Sequence, residues 1–184
     1  KILNNNIKIG TNAFPLSCTF VQNNEYIYYY EGPKDVKEIT IPIDVTEIGE
    51  STFSGCTSLT NIIIPNNIKE IGSKAFSGCS SLTNIIIPDS VTEIDEYAFS
   101  GCSSLLNITI PNNIKKIKEC TFSSCSSLTN ITIPDGVTEI DEYSFSGCSS
   151  LTNITIPESV IKLNDYAFSG CISLENAKDR KSVV

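Results

Sequence analysis

The chain contains no histidine. That absence removes the commonest general base and metal ligand, and with it any Ser-His or Cys-His nucleophile. Methionine is missing too, even at position 1, so the sequence reads as a processed or excised portion of something longer. No apolar run approaches the roughly 18–20 residues that a membrane-spanning helix requires. Basic residues are scarce: 13 Lys and Arg stand against 21 Asp and Glu, for a net charge of −8. They form no stripe interleaved with aromatics, so a nucleic acid or an anionic lipid surface would be repelled. The expectation is therefore no nucleic-acid partner and no membrane insertion within this segment. P-loop, dinucleotide and calcium-loop spacings are also lacking.

What the chain has in abundance is repetition. Proline recurs at Pro42, Pro65, Pro88, Pro111, Pro134 and Pro157, always 23 residues apart. Phenylalanine keeps the same step at Phe53, Phe76, Phe99, Phe122, Phe145 and Phe168, and cysteine at Cys56, Cys79, Cys102, Cys125, Cys148 and Cys171. Fixed self-similarity over 20–50 residues is the mark of a solenoid. A single 23-residue coil buries too few side chains to offset the entropy of ordering it, so neighbouring coils must cover both of its faces.

Within one unit, Leu82, Ile85 and Ile87 lie at a spacing that places Ile85 and Ile87 on one face of a short strand, with Asn84 and Ile86 on the other. Pro88 ends the strand, having no N–H for a further ladder bond. Val91 and Ile94 turn inward again, leaving Thr92 and Glu93 to solvent. Ala98 and Phe99 follow, and Gly101 bends the chain before Cys102 and Leu105.

This unit, L-x-x-I-x-I-P-x-x-V-x-x-I-x-x-x-A-F-x-x-C, resembles the BspA-like subclass of leucine-rich repeats over residues 36–174, six successive units. Departures are few: Thr52, Thr121 and Ser144 replace the alanine, Ser124 the glycine and Leu163 the second isoleucine. The resemblance implies a right-handed leucine-rich repeat solenoid, α/β by convention but strand-rich with little helix. It implies about seven coils, counting a degenerate first one, with a parallel sheet on the concave face where such proteins usually bind. BspA-like arrays look like cell-surface or secreted proteins of bacteria and parasitic protists that adhere to host proteins or to other microbes.

Eight cysteines would ordinarily suggest disulfides in a secreted chain. Six of them share one register, which spaces them about 4.8 Å apart along the stack with parallel Cβ directions. Disulfide geometry wants Cβ atoms about 3.8 Å apart, so these thiols read as buried, free and hydrophobic in role. Cys18 belongs to the same row, and Cys120 stands where neighbouring units have Tyr97 and Tyr143. No C-x-x-C pair is present, and no metal or cofactor is expected.

Residues 1–35 read as a degenerate coil plus a hairpin-like insertion. Ile7 to Phe14 echoes Ile68 to Phe76 one residue short, and Phe20–Val21 and Tyr26–Tyr30 flank a polar Asn-containing turn. The hairpin either covers the side of the solenoid, or Tyr26, Tyr28, Tyr29 and Tyr30 form an aromatic contact patch. Residues 36–174 carry the steady beat. Residues 175–184 are a charged tail or a truncated cap, whose Lys178-Asp179-Arg180-Lys181 run discourages further strand pairing.

The adjacent acids Asp95-Glu96 and Asp141-Glu142 read as solvated surface, because paired-acid catalysis needs two carboxyls converging across a cleft. No catalytic residue is expected and the chain is read as no enzyme. The outward side of the strands is more informative. Asn61, Asn84, Asn107, Asn130 and Asn153 form one column; Ile63, Ile86, Thr109, Thr132 and Thr155 form the next. Such a face suits an extended protein surface, a host or matrix protein or another microbial surface protein. The equal alternative is that stacked Asn and Thr satisfy one another across strands. Asn107, Asn130 and Asn153 also begin N-x-T triplets, which the repeat itself produces from strand-favouring residues. A further column, Glu47, Glu70, Glu93, Lys116, Glu139 and Lys162, reads as mixed solvated charge. The function expected is a non-catalytic protein-recognition module of a surface or secreted adhesin-like protein; the alternative is a structural spacer with no ligand of its own.

Overall fold

The computed structural model describes residues 20–22, 26–30, 33–174 and 176–178, with side chains at 30 and 33–174. Its spine is a file of aromatic rings. Phe53, Phe76, Phe99, Phe122, Phe145 and Phe168 stack with centroids 5.2–5.7 Å apart and planes within 15° of parallel. That step is one coil, so the 23-residue period of the sequence becomes translation along a solenoid. From Phe53 to Phe168 the described residues make five complete turns, fewer than the seven coils expected. The degenerate coil placed before Cys18 lies outside the described residues.

Each coil contributes to three ladders. In the first, strands Asn84–Ile85, Asn107–Thr109, Asn130–Thr132, Asn153–Thr155 and Asn176–Lys178 form a parallel sheet, and Glu38–Thr40 pairs with Asn61–Ile63 in the same register. Ile62, Ile85, Ile108, Ile131 and Ile154 are buried while their flanking Asn residues are exposed, as period-2 alternation requires. The second ladder holds shorter strands, Glu47–Ile48, Glu70–Ile71 and Glu93–Ile94, then Lys116–Ile117, Glu139–Ile140 and Lys162–Leu163. Between the two ladders sits the proline turn. The Pro88 carbonyl accepts from Val91 N–H at 3.0 Å, and Pro65, Pro111 and Pro134 do the same three residues on.

No helix closes the coil among the described residues; a third ladder, made of stacked turns, does so instead. Phe53 N–H donates to Ala75 O, Phe76 to Ala98, Phe99 to Thr121, Phe122 to Ser144 and Phe145 to Ala167, each at 2.8–2.9 Å. The turn is held by left-handed backbone at Gly55, Gly78, Gly101, Gly147 and Gly170, φ 72–75°, a region glycine enters without the Cβ clash other residues meet. Ser124 adopts the same conformation at φ 60°. The substitutions at the alanine position are equally contained: Thr52 and Thr121 donate their buried hydroxyls at 2.8 Å to Gly49 O and Lys118 O, and Ser144 likewise to Asp141 O.

The cysteine row is a hydrogen-bonded column as well as a hydrophobic one. Cys79 Sγ donates to Phe53 O at 3.2 Å, and Cys102, Cys125 and Cys148 reach Phe76, Phe99 and Phe122 at 3.2–3.3 Å. Every described cysteine is a free thiol. Cys18 lies outside the described residues.

The hairpin is present, with Phe20–Gln22 antiparallel to Tyr26–Tyr30. Its second strand pairs in parallel with Glu47–Ile48 and so extends the short-strand sheet. Tyr30 corrects one expectation. It is 1% exposed, its ring lies 5.7 Å from Phe53, and its hydroxyl donates to Pro33 O at 3.4 Å. Residue 30 is one beat before Phe53, so the tyrosine occupies the phenylalanine file and begins the core.

Two outcomes follow from the stack. Phe99→Ala, with rings on both sides, is expected to lower stability by about 3–5 kcal/mol in urea unfolding. Phe168→Ala, slightly exposed and flanked on one side only, should cost clearly less; equal losses would contradict a nearest-neighbour core. Burial also pushes the Cys102 thiol from 9.0 up to about 12. Because the folded value is the higher one, its contribution to stability is complete below pH 9.0 and is lost as pH rises through about 12. Site-resolved mass spectrometry should find Cys102 unmodified by a disulfide-exchange reagent near about pH 8 until urea unfolds the chain.

Candidate functional site

The asparagine sheet presents Asn61, Asn84, Asn107, Asn130 and Asn153 to solvent in one column, with Ile63, Ile86, Thr109, Thr132 and Thr155 exposed beside them. In-register pairing, Asn130 opposite both Asn107 and Asn153, makes the columns straight. The asparagines turn to their own coil rather than to each other. Asn130 and Asn153 donate from Nδ2 to the preceding Thr129 and Thr152 hydroxyls at 3.2 Å, and Asn84 to Thr83 at 3.5 Å. Thr129 and Thr152 in turn donate to Leu106 O and Thr129 O one coil back at 3.4 Å. Among the described hydrogen bonds none joins one column asparagine to the next. Ile86 and Ile63, 83% and 56% exposed, add an apolar end. Of the aromatic residues singled out at the hairpin, Tyr30 is in the core; the side chains of Tyr26, Tyr28 and Tyr29 lie outside the described residues.

The short-strand ladder carries charge, arranged in order. Lys116 Nζ lies 3.3 Å from Glu139 and 2.8 Å from Asp141, and Lys162 also pairs with Glu139. Lys118 joins both Glu93 and Asp95, bridging the point where the short-strand sheet divides between Glu93–Ile94 and Lys116–Ile117. Partial burial opposes the Lys118 charge, but its hydrogen bonds with Asp95 and Glu93 prevail and raise its pKa. The hydrogen bond from Lys162 holds Glu139 down at about 2. At Glu70 such compensation is outweighed: burial, then Glu47, Asp95 and Glu93, push its pKa up against the opposing charge of Lys118.

Next to this ladder the chain bends through a second left-handed row: Ser51, Lys74, Tyr97, Cys120, Tyr143 and Tyr166, φ 52–59°. In the sequence Cys120 stands where a tyrosine recurs, but nothing except the 23-residue register marks these positions, since neither Gly nor Asn occurs in the row. Beside it a groove of about 230 Å3 is lined by Glu96, Glu119, Asp141, Glu142 and Asn164. The acids Glu96 and Glu142, read as solvated, are exposed, whereas Asp95 and Asp141 are engaged by Lys118 and Lys116. Among the described residues no group of three His, Cys, Asp or Glu side chains is placed to hold a metal ion, and no helix is long and apolar enough to cross a membrane.

Comparison with known proteins agrees with this geometry. A family described as BspA type leucine rich repeat region, in six copies, matches residues 23–126 and 115–183. A leucine rich cell surface protein from Faecalibacterium prausnitzii is 35% identical with a TM-score of 0.75, over 92% of this chain and 55% of its own. A leucine-rich repeat protein from Bacteroides ovatus is 34% identical with a TM-score of 0.63, over 79% of this chain and 44% of its own. The T. pallidum leucine rich repeat protein is 26% identical with a TM-score of 0.74, over 89% of this chain and 91% of its own. The chain thus spans about half the length of the first two. No curated protein matches it.

The Glu70 environment generates a signed outcome. A raised folded pKa means that the group favours folding below its ordinary 4.5 and that this advantage is lost as pH rises through the folded value. Glu70→Gln is therefore expected to raise the melting temperature at neutral pH, with the difference vanishing below the ordinary carboxylate range. Thermal scans at both pH values check it; a lower melting temperature at neutral pH contradicts it.

Proposed function

The chain belongs to the BspA-type leucine-rich repeat family, and on that premise we propose that it is a non-catalytic protein-recognition module of a surface or secreted, adhesin-like protein. The observation that carries the reading is the asparagine sheet. Its Asn and Thr columns are exposed and straight, and Asn130 and Asn153 donate to threonines of their own coil. A partner backbone meeting this face finds regularly spaced acceptors and donors with no water-excluding cleft to enter. The exposed Ile63 and Ile86 supply apolar area where the polar column ends. The cell-surface description of the Faecalibacterium relative supports the surface location, and the acidic balance of 21 acids to 13 bases supports a protein rather than a nucleic-acid partner.

The second reading, a spacer that displays another domain, is favoured by the uniformity of the coils, which differ little in sequence along the stack. The two readings separate by experiment. Host-matrix and cell-surface proteins are offered to the immobilised array and binders are quantified. If the face recognises its partner, Asn107→Lys with Thr132→Lys should weaken binding by roughly tenfold or more, because truncating or blocking central contacts has that effect, while stability changes by less than about 0.5 kcal/mol. In a spacer the same substitutions leave adhesion untouched, and only deletion of whole coils alters it.

A further inference from the structure

We propose that the tyrosine row and the carboxylate groove beside it form a second docking surface, which takes an arginine-bearing basic segment of a protein partner. It shares no residue with the asparagine sheet and does not depend on that reading.

The two columns are tied together coil by coil. Lys74, Tyr97 and Cys120 donate their backbone N–H groups to the carbonyls of Glu96, Glu119 and Glu142, each one coil on, at 3.0–3.1 Å. The aromatic row and the acidic column are therefore held at a fixed separation along the stack. Tyr143 and Tyr166 stack with centroids 5.3 Å apart and planes 6° from parallel, yet remain 38% and 62% exposed. Nothing in the fold requires rings there. Ser51 and Cys120 occupy the same left-handed backbone, a conformation that disfavours any residue with a Cβ by about 1–2 kcal/mol. An exposed stacked pair at such a position offers ring faces to something else.

The chain itself shows what that something is. Lys74 Nζ lies over the Tyr97 ring, 5.6 Å from its centroid, and Tyr97 donates its hydroxyl to Glu119 Oε1 at 2.7 Å. One cation on a ring of this row, beside a carboxylate of this column, is already in place. Tyr143 directly follows Glu142 of the groove, and its ring and that of Tyr166 are exposed to an outside cation. The groove lined by Glu96, Glu119, Asp141, Glu142 and Asn164 carries negative charge, with Asp141 shared with Lys116 at 2.8 Å and Asn164 at 2.9 Å. Its carboxylates are strung along the coils and do not converge on a metal-binding point, which suits several cations carried on one chain. A guanidinium fits better than an ammonium, since it stacks on tyrosine and forks to a carboxylate at once. The chain's net charge of −8 steers a basic segment toward this surface.

The full chain is titrated into fluorescein-labelled hexa-arginine and hexa-lysine peptides, read by anisotropy at about 0.15 M salt. Hexa-arginine is expected to bind roughly fivefold or more tightly than hexa-lysine, and Tyr143→Asn with Tyr166→Asn to weaken it by roughly tenfold. Asparagine tolerates the left-handed backbone, and circular dichroism confirms that this variant is folded; Tyr143→Phe with Tyr166→Phe keeps the rings and should retain binding. Glu119→Gln with Glu142→Gln should also lose binding, whereas Asp89→Asn with Asp135→Asn removes the same charge at exposed positions elsewhere and should change it less than about twofold. Equal loss in the Asp89/Asp135 control, equal affinity for the two peptides, or full binding without the rings each overturns the proposal. None of these results touches recognition by the asparagine sheet.

Discussion

Every inward side chain here is buried by a neighbouring coil, because a turn of 23 residues has no interior of its own. The phenylalanine file states the constraint most simply: each ring from Phe76 to Phe145 is covered on both faces by rings 5.2–5.7 Å away. The thiol column repeats it in hydrogen bonds, each cysteine reaching the phenylalanine carbonyl of the preceding coil. Stability is then a sum of interfaces between nearest neighbours. With the core confined to one axis, the outward positions of each coil are released from packing and can vary.

That release explains how one small unit builds two chemically different surfaces. On one side, strand alternation lifts Asn and Thr out of the sheet in columns. On the other, a left-handed bend projects Tyr97, Tyr143 and Tyr166 beside a run of carboxylates. Charge along the short-strand ladder is arranged so that Lys116, Lys118 and Lys162 each pair with acid groups of one adjoining coil, offsetting part of the repulsion that stacking like residues creates. Where the column runs Glu47, Glu70, Glu93 that offset is weakest, and Glu70 shows it in its raised pKa.

The file of rings, the strand faces and the inward return of Val91 and Ile94 were legible because each is fixed by residue type at a constant period. Ile85 and Ile87 are buried while Asn84 and Ile86 are exposed, as their alternation says. Tyr30 was misread for a physical reason: its neighbours Tyr26 to Tyr29 make an amphipathic-looking run, and local pattern outweighed the register that places residue 30 one step before Phe53. The left-handed row was invisible for another. Six different environments, from Ser51 to Tyr166, share one backbone conformation imposed by the coil, and no glycine or asparagine advertises it. The hydroxyls of Thr52, Thr121 and Ser144 return to carbonyls three residues earlier, a local bond that replaces alanine without signalling itself. The described residues hold five turns of the seven expected, and the degenerate first coil lies outside them.

The central claim is that translation by one whole repeat is the operation that builds this molecule. It is tested most directly by deleting residues 91–113, one complete unit, and comparing urea unfolding with a deletion one residue shorter. The account predicts that the whole-unit deletion folds with the same circular dichroism per residue and a proportionately smaller dependence on urea, while the shorter deletion throws every following strand onto the wrong face and loses cooperative unfolding. Equal stability of the two deletion variants, or collapse of the whole-unit one, would contradict it.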